Sequence, residues 1–404
     1  MLQIALITLA LTLHLQNPAP ADPPQAELTV PELRIEDAAG AVRRLPLEDL
    51  DVNEASALGG VLVRIVGLEP VAVPAEETDT VQLELRNGGK LLGRLQGGEG
   101  ERLDLRLVGG TGLRVMIEEV DSLRFPARLP RKGRQVLEPA AVGDRLYRVA
   151  GEELDRIDGA IEAFELEGLR FSSDLGSKLY PWSEVAACFI EALDESGGAD
   201  GEGTPVVVDL VDGSRLRAGF LRWNAEQLEL QTPTGRGLAL PNEAIAEVFF
   251  DDGRLRFLSD MTPSAVDEAS PFGDDLGLSW PHRMDRSVTG GPLAAGGRKW
   301  SRGIGVHAPS RLTFALDGEW RELRGSVAID DEVLRLSARG SVIFRVVVDG
   351  EQRFESPVVR GGDPVLDLPQ IALVGARELL LEVDLATDLH VADRADWLGV
   401  VLVK

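Results

Sequence analysis

Tryptophan is the residue type that stands out when the chain is searched for side chains able to do chemistry. Aromatic residues make up 5% of the 404 residues, and four of the six tryptophans (Trp280, Trp300, Trp320 and Trp397) lie in the last third. An aromatic ring stacks on the C–H face of a sugar, while Asp, His and Arg side chains hydrogen-bond to the hydroxyls. The last third therefore has the side chains that a carbohydrate site needs.

Structural roles compete with this function at several positions. Trp280 and Trp300 lie in loop-like segments, whereas Trp397 precedes an apolar terminal strand and is more typical of a core residue. His307 stands between Val306 and Ala308, where either a buried histidine or a ligand contact fits. The complete set of carbohydrate-binding candidates is Trp280, Trp300, His307, Arg345, Arg394, Asp396 and Trp397.

Three consecutive acidic residues form a second candidate site. Asp330, Asp331 and Glu332 carry carboxylate oxygens, which are the ligands that Ca²⁺ prefers. A solvated acidic turn explains the same run equally well. We expect no required cofactor, and structural calcium is the one metal that the sequence suggests.

Short alternating strands position these residues. Long helical periodicity is missing, and runs of alternating apolar residues are separated by Gly and Asp turns, which indicates an all-β protein. In the last third, Leu312–Leu316, Ser341–Val348 and Leu379–Val383 alternate in this way. Their pattern predicts the inner faces of a two-sheet β-sandwich.

The middle of the chain repeats one pattern three times, at residues 78–126, 136–192 and 204–254. Each copy reads strand, Asp-Gly-type hairpin, strand, strand, loop and strand. A sheet of that length must curl to cover its apolar face, so each copy resembles a small SH3-like or Sm-like barrel. We interpret these copies as spacer modules or as docking modules for protein partners. Residues 28–75 contain two further strands and no functional signal.

The last third, residues 258–404, resembles a known family through four motifs in a fixed order. These are GIGVHAPS at 303–310, IDDE at 329–332, GSVIFRVVVDG at 340–350 and ADW at 395–397. The ordered set is similar to the novel putative carbohydrate-binding module, NPCBM, also called carbohydrate-binding module family 51. The resemblance implies a jelly-roll-like β-sandwich that binds a glycan, either galactose-type or another sugar, and it allows a structural calcium. Arg394 stands where the family usually has His, and the loop at 386–392 lacks the usual Gly-rich Asp run, so the identity of the sugar stays open.

The net charge and the cysteine content limit the classes of partner and of chemistry that the protein can have. The formal net charge is −25, which disfavours the clustered cations that nucleic-acid binding requires. The single cysteine, Cys188, lies among apolar residues and is typical of a buried, inert thiol.

Leu2–Leu15 is nearly all apolar and is followed by Ala19 and Ala21, a pattern that predicts a signal peptide at residues 1–21, cleaved near Ala21. No other apolar run reaches membrane length, so we expect a secreted, periplasmic or cell-envelope protein without a membrane span.

The sequence contains no catalytic signature. Nucleophile-elbow, zinc-protease, phosphate-loop and dinucleotide motifs are all absent. The favoured hypothesis is an exported, non-catalytic glycan-binding protein. The alternatives are an envelope scaffold whose sandwich contacts protein in place of sugar, and a component of a glycoside hydrolase system. Hydrolysis itself would need two carboxylates about 5 to 9.5 Å apart in a cleft.

Overall fold

The fold is built from β-strands and short 3₁₀ turns. The computed structural model describes residues 32–36, 42–47, 50–51, 61–65, 79–107, 110–129, 137–151, 153–191, 203–268, 280–387 and 391–404. Within these ranges no helix is long and apolar enough to cross a membrane. The predicted signal peptide lies outside the described residues. The all-β class and the C-terminal sandwich are confirmed.

The N-terminal strands attach to the middle of the chain. They are β1 (Glu32–Glu36), β2 (Val42–Pro46), β3 (Leu50–Asp51) and β4 (Val61–Ile65). Strand β1 pairs with β2 and β4. Strands β4 and β3 pair with strands of the third repeat described below, so this region extends that repeat.

Three five-stranded repeats follow. Repeat 1 comprises β5 (Thr80–Leu85), β6 (Lys90–Glu99), β7 (Arg102–Leu107), β8 (Gly112–Met116) and β9 (Val120–Arg124). Repeat 2 comprises β10 (Asp144–Ala150), β11 (Glu153–Phe164), β12 (Gly168–Ser173), β13 (Gly176–Pro181) and β14 (Val185–Phe189). Repeat 3 comprises β15 (Thr204–Leu210), β16 (Arg215–Trp223), β17 (Gln227–Gln231), β18 (Gly237–Pro241) and β19 (Ile245–Phe250).

The three repeats share one pairing scheme. In each, the first strand pairs with the second and the fifth, and the second, third and fourth strands pair in order. A 3₁₀ turn joins the fourth strand to the fifth, at Ile117–Glu119, Trp182–Glu184 and Asn242–Ala244. The second strand carries a β-bulge at the same place in every copy, and such a bulge bends a strand so that one sheet can curl. The assignment to SH3-like or Sm-like barrels stays a prediction.

The repeats pack as one body. Strand β14 of repeat 2 pairs with β9 of repeat 1, and β16 of repeat 3 bridges to β6 of repeat 1. A single apolar core runs through all three and includes Phe164, Trp223 and Phe250. Cys188 is fully buried in this core, and burial raises the pKa of its thiol well above the ordinary value. The structure therefore confirms the buried thiol that the apolar neighbours of Cys188 predict.

The last third forms two facing sheets. The first contains β20 (Leu255–Phe257), β22 (Arg283–Met284), β25 (Gly303–His307), β27 (Glu322–Ile329), β31 (Leu366–Asp367), β32 (Ile371–Ala372) and β34 (Arg394–Val403). The second contains β21 (Ala265–Asp267), β26 (Ser310–Ala315), β28 (Ser341–Val348), β29 (Glu351–Glu355), β30 (Val359–Arg360) and β33 (Glu378–Leu385). A separate hairpin pairs β23 (Leu293–Ala295) with β24 (Arg298–Trp300), and 3₁₀ turns cover Leu258–Asp260 and Asp331–Arg335. Outside the sandwich, a further 3₁₀ turn at Pro126–Arg128 follows repeat 1.

A buried ion network joins the sandwich to repeat 3. Arg302, whose side chain is 2% exposed, donates to Asp209 of repeat 3 at 3.0 Å and to Asp260 at 2.7 Å. Arg215 of repeat 3 donates to Asp209 and to Asp285, each at 2.6 Å. Burial raises the pKa of Asp285, but the two arginines outweigh it and hold that pKa below its ordinary value. Because both modules supply charges, the network fixes one module against the other.

Candidate functional site

An exposed tryptophan stacks on a buried histidine at one edge of the first sheet. The ring centroids of Trp280 and His307 lie 5.4 Å apart at an interplanar angle of 19°. Trp280 is 36% exposed, whereas His307 is 9% exposed and ends strand β25. The Nδ1 of His307 lies 2.9 Å from the carbonyl oxygen of Ala308. Because a carbonyl only accepts, Nδ1 carries the hydrogen, and this bond fixes the imidazole plane beneath the tryptophan.

Arg394 occupies the position opposite His307 on strand β34. Its guanidinium carbon lies 5.7 Å from the centroid of the Trp280 ring, which is within the range of a cation–π contact. Its Nη1 forms an ion pair with Glu332 at 3.1 Å, and the other oxygen of Glu332 accepts from Thr289 at 2.5 Å. Arginine donors and carboxylate acceptors therefore lie beside the exposed ring. We call Trp280, His307, Arg394 and Glu332 the Trp280 cluster.

A second hydrogen-bonded group supports the loop that carries Trp280. Both carboxylate oxygens of Glu268 accept from the backbone N–H of His282, at 2.9 and 3.0 Å. The Nδ1 of His282 lies 3.2 Å from Glu268, and the hydroxyl of Ser310 donates to the same carboxylate at 3.4 Å. Glu268 thus ties the residue two positions after Trp280 to the second sheet.

Asp396 lies beneath the cluster as half of a buried carboxyl pair. It is 1% exposed, and burial followed by the neighbouring Asp330 raises its pKa well above the ordinary value. Asp330 is equally buried and accepts from the backbone N–H groups of Glu332 at 2.7 Å and Ala294 at 3.1 Å. Asp396 therefore holds its proton to a higher pH than an exposed aspartate does. The structure buries the carboxyl of Asp396, and its role as a sugar ligand stays a prediction.

The three consecutive acidic residues point to separate partners. Asp330 caps the 3₁₀ turn that follows it, Asp331 accepts from the N–H of Gly297 at 2.8 Å, and Glu332 pairs with Arg394. Across the described part of the chain, no group of three or more His, Cys, Asp or Glu side chains converges in a way that would hold a metal ion. The structural calcium stays a prediction.

Three of the predicted site residues lie away from the cluster. Trp397 is fully buried and packs edge-on against Phe344 at 5.1 Å, so it is the core residue that its flanking sequence favoured. Trp300 packs near Gly399, which lies further along strand β34 than Arg394 and so beyond the cluster. Arg345 belongs to the second sheet, where it bonds Glu355 at 2.7 Å and Asp384 at 2.9 Å.

Sequence reasoning missed Glu268, His282 and Thr289. They lie outside the four ordered motifs, and only their distant partners give them a role. Glu332 was identified, but as a metal ligand, whereas the structure uses it to neutralise Arg394. The ion pair between Arg394 and Glu332 could have been predicted from the sequence, because a half-buried arginine needs a counter-charge.

The comparisons with known proteins decide the identity of the sandwich. Residues 256–403 match the family model described as NPCBM/NEW2 domain, against the predicted 258–404. The sandwich is an NPCBM/NEW2 domain. The chain is similar to alpha-1,3-galactosidase B of Akkermansia muciniphila, with 36% identity over 119 residues, covering 28% of this chain and 14% of that protein. It is also similar to a putative endo-alpha-N-acetylgalactosaminidase of Renibacterium salmoninarum, with 28% identity over 108 residues, covering 27% of this chain and 7% of that protein.

Solved structures similar to the chain include family 51 carbohydrate-binding modules. One is the CBM51 of Clostridium perfringens GH95 in complex with methyl-galactose, at 21% identity and a TM-score of 0.32, covering 37% of this chain and 99% of that one. Another is CBM51-2 with the INT domains of Clostridium perfringens ZmpB in complex with GlcNAc, at 22% identity and a TM-score of 0.33, covering 49% of this chain and 40% of that one. The chain spans only a small part of either curated relative, at 14% and 7% of their lengths.

Proposed function

We propose that the NPCBM/NEW2 domain binds a glycan at the Trp280 cluster. The observation that carries this proposal is the partly exposed ring of Trp280, held by stacking on His307 and flanked by Arg394. A ring whose plane is fixed in advance loses little conformational entropy when a sugar stacks on it. The sandwich therefore offers an apolar contact of defined orientation at its surface.

The charged members of the cluster complement this contact. The guanidinium of Arg394 has five N–H donors, and its ion pair with Glu332 is made through Nη1, which leaves donors for a ligand. Glu332 supplies carboxylate acceptors within the same cluster. A polyhydroxylated ligand accepts hydrogen bonds from the remaining donors of Arg394, whereas a purely apolar ligand would cover those donors without a partner.

The proposed ligand is a galactose-type or other sugar, and the proposed activity is binding without catalysis. The carboxyl pair beneath the cluster, Asp330 and Asp396, is buried, so it is not placed to activate water against a sugar on the exposed ring. The repeats would serve as a base that docks protein partners. Export, as Leu2–Leu15 and Ala21 predict, is part of the same proposal, and the size of the mature protein after secretion tests it.

Binding to a glycan array by the full chain, with and without Ca²⁺, tests the proposal. We expect Trp280→Ala to lower the affinity for the bound glycan by about fivefold to a hundredfold, since aromatic contacts of this kind contribute about 1–3 kcal/mol. Arg394→Gln should lower it by a similar factor. Arg311→Gln is the matched control, because Arg311 also forms a carboxylate pair, with Glu382 at 2.9 Å, but lies on the opposite sheet.

Two outcomes would contradict the proposal. If no glycan binds, the domain is better explained as a scaffold that contacts protein. If a glycan binds and Trp280→Ala leaves its affinity unchanged while the variant keeps its melting temperature, the binding surface lies elsewhere on the sandwich.

A further inference from the structure

A cavity of about 650 Å³ lies where the three repeats meet. Repeat 1 lines it with the turn after β5 and with strand β8, repeat 2 with β11 and the segment after β14, and repeat 3 with β16 and the turn between β17 and β18. No single repeat builds the cavity. Small-molecule sites commonly have volumes of about 300–1,000 Å³ and lie at such junctions.

Hydrogen bonds between the repeats hold the walls in place. Arg86 of repeat 1 donates to the carbonyl oxygen of Glu191 at 2.8 Å, and Asn87 donates to the carbonyl of Arg217 in repeat 3 at 3.2 Å. From repeat 3, the hydroxyl of Thr234 donates to Glu119 of repeat 1 at 3.1 Å. All of these residues line the cavity, so its shape exists before any ligand enters.

The interior of the cavity is aliphatic. Leu85, Ile117, Ile161 and Leu238 are only partly buried, although they pack against the common core and line the cavity. None of the described residues that line it is aromatic. The lining therefore lacks the stacking platform that the Trp280 cluster provides for a sugar. It suits a flexible aliphatic chain, whose transfer from water yields about 25 cal/mol per Å².

The rim of the cavity carries an excess of carboxylates. The exposed acidic residues that line it are Glu101, Glu118, Glu162 and Glu191. The lining arginines are engaged by other groups. Arg86 bonds backbone carbonyls, Arg114 lies 3.4 Å from Asp104, and Arg217 lies 3.5 Å from Asp251. A positive group at the mouth is therefore favoured over a negative one.

We propose that this cavity binds a small amphiphilic cation, with an aliphatic chain inside and an ammonium-type group at the acidic rim. The size, the aliphatic lining and the charge of the rim all select this ligand class. Among the described residues, those that line the cavity all lie between Leu85 and Leu238, outside the sandwich.

Titration calorimetry on the full chain tests the proposal with three probes: octyltrimethylammonium, octanoate and tetramethylammonium. We expect octyltrimethylammonium to bind at least about tenfold more tightly than octanoate, which has the same chain length but opposite charge, and than tetramethylammonium, which lacks the chain. Methyl NMR should place the shifts at Ile117, Ile161 and Leu238, with the sandwich residue Ile343 unchanged.

Two kinds of variant test the contributions of the ligand's positive charge and of its aliphatic chain separately. Glu101→Gln with Glu118→Gln should weaken the cation about threefold to tenfold without altering the melting temperature, because both residues are exposed. Glu351→Gln, exposed on the sandwich, should have no effect. Leu238→Trp should fill the space that the aliphatic chain of the ligand would occupy and so abolish its binding.

Equal affinity for octanoate and octyltrimethylammonium, methyl shifts confined to the sandwich, or no saturable binding of the cation would each overturn the proposal. If Leu238→Trp does not fold, the comparison of probes and the glutamine variants still decide the question.

Discussion

Arg302→Met is the sharpest test of the buried ion network that joins the sandwich to repeat 3. We call this contact, formed by Arg302, Arg215, Asp209, Asp260 and Asp285, the joint. Methionine keeps much of the aliphatic stem of Arg302 but removes the guanidinium, whose carbon lies over Phe257 at 4.9 Å from the ring centroid. The substitution removes the bonds to Asp209 and Asp260 from a side chain that is 2% exposed. Breaking a buried ion pair costs about 3–5 kcal/mol when the remaining charge is left alone.

The expected cost here is smaller, because Asp209 keeps Arg215 at 2.6 Å and Asp260 keeps Arg215 at 3.4 Å. We therefore expect a loss of about 2–3 kcal/mol. For a unit of the size of the sandwich, each kcal/mol lowers the melting temperature by about 2–4 °C. Scanning calorimetry should show the sandwich transition about 5–10 °C lower and separated from that of the repeats.

Arg311→Met is the matched control, since Arg311 is 56% exposed and pairs with Glu382 at 2.9 Å on the second sheet. An exposed pair contributes less than about 1 kcal/mol, so this variant should melt within a few degrees of the parent. If both variants melt alike, or if Arg302→Met leaves the melting curve unchanged, the ion network does not join the two modules.

Two further predictions concern buried titratable groups. Burial, followed by repulsion from Arg286, lowers the pKa of Lys90 from 10.5 to about 8. Between those two pH values the unfolded chain keeps the proton of Lys90 and the folded chain releases it. The buried ammonium therefore lowers the free energy of unfolding by its full amount below about pH 8 and has no effect above about pH 10.5. Lys90→Met should stabilise the protein by up to about 3 kcal/mol at pH 7 and by far less at about pH 10.5, measured by urea unfolding, and an equal effect at both pH values would contradict the assignment. The raised pKa of Asp396 has the opposite sign, because the folded state keeps the proton that the unfolded carboxyl releases above its ordinary pKa of 3.8. Asp396→Asn, which removes the titrating carboxyl beside Asp330, should stabilise the protein more at pH 7 than at about pH 3.5, and a loss of stability at pH 7 would contradict the raised pKa.

Local pattern was sufficient to predict the sandwich because its strands alternate without interruption. The alternating run Ser341–Val348 is strand β28 with the same bounds, and Leu379–Val383 lies within β33. The tryptophans were harder to place from sequence, because an aromatic residue beside a strand has the same local pattern whether it points inward or outward. Trp397 and Asp396 are buried by contacts with strands far away in the chain, and spacing along the sequence carries no information on those contacts.

The joint and the Trp280 cluster are connected by the same two strands. Arg302 directly precedes β25 and His307 ends it, so the length of one short strand separates the joint from the cluster. Strand β34 spans the same interval, from Arg394 at the cluster to Val401, which packs beside Phe249 of repeat 3. The two strands pair in continuous register, and a paired connection does not bend freely because its ladder hydrogen bonds fix the register along its length. A glycan bound at the Trp280 cluster would therefore be held at a fixed position relative to the repeats, which is the arrangement expected of a rigid base and not of flexible spacers.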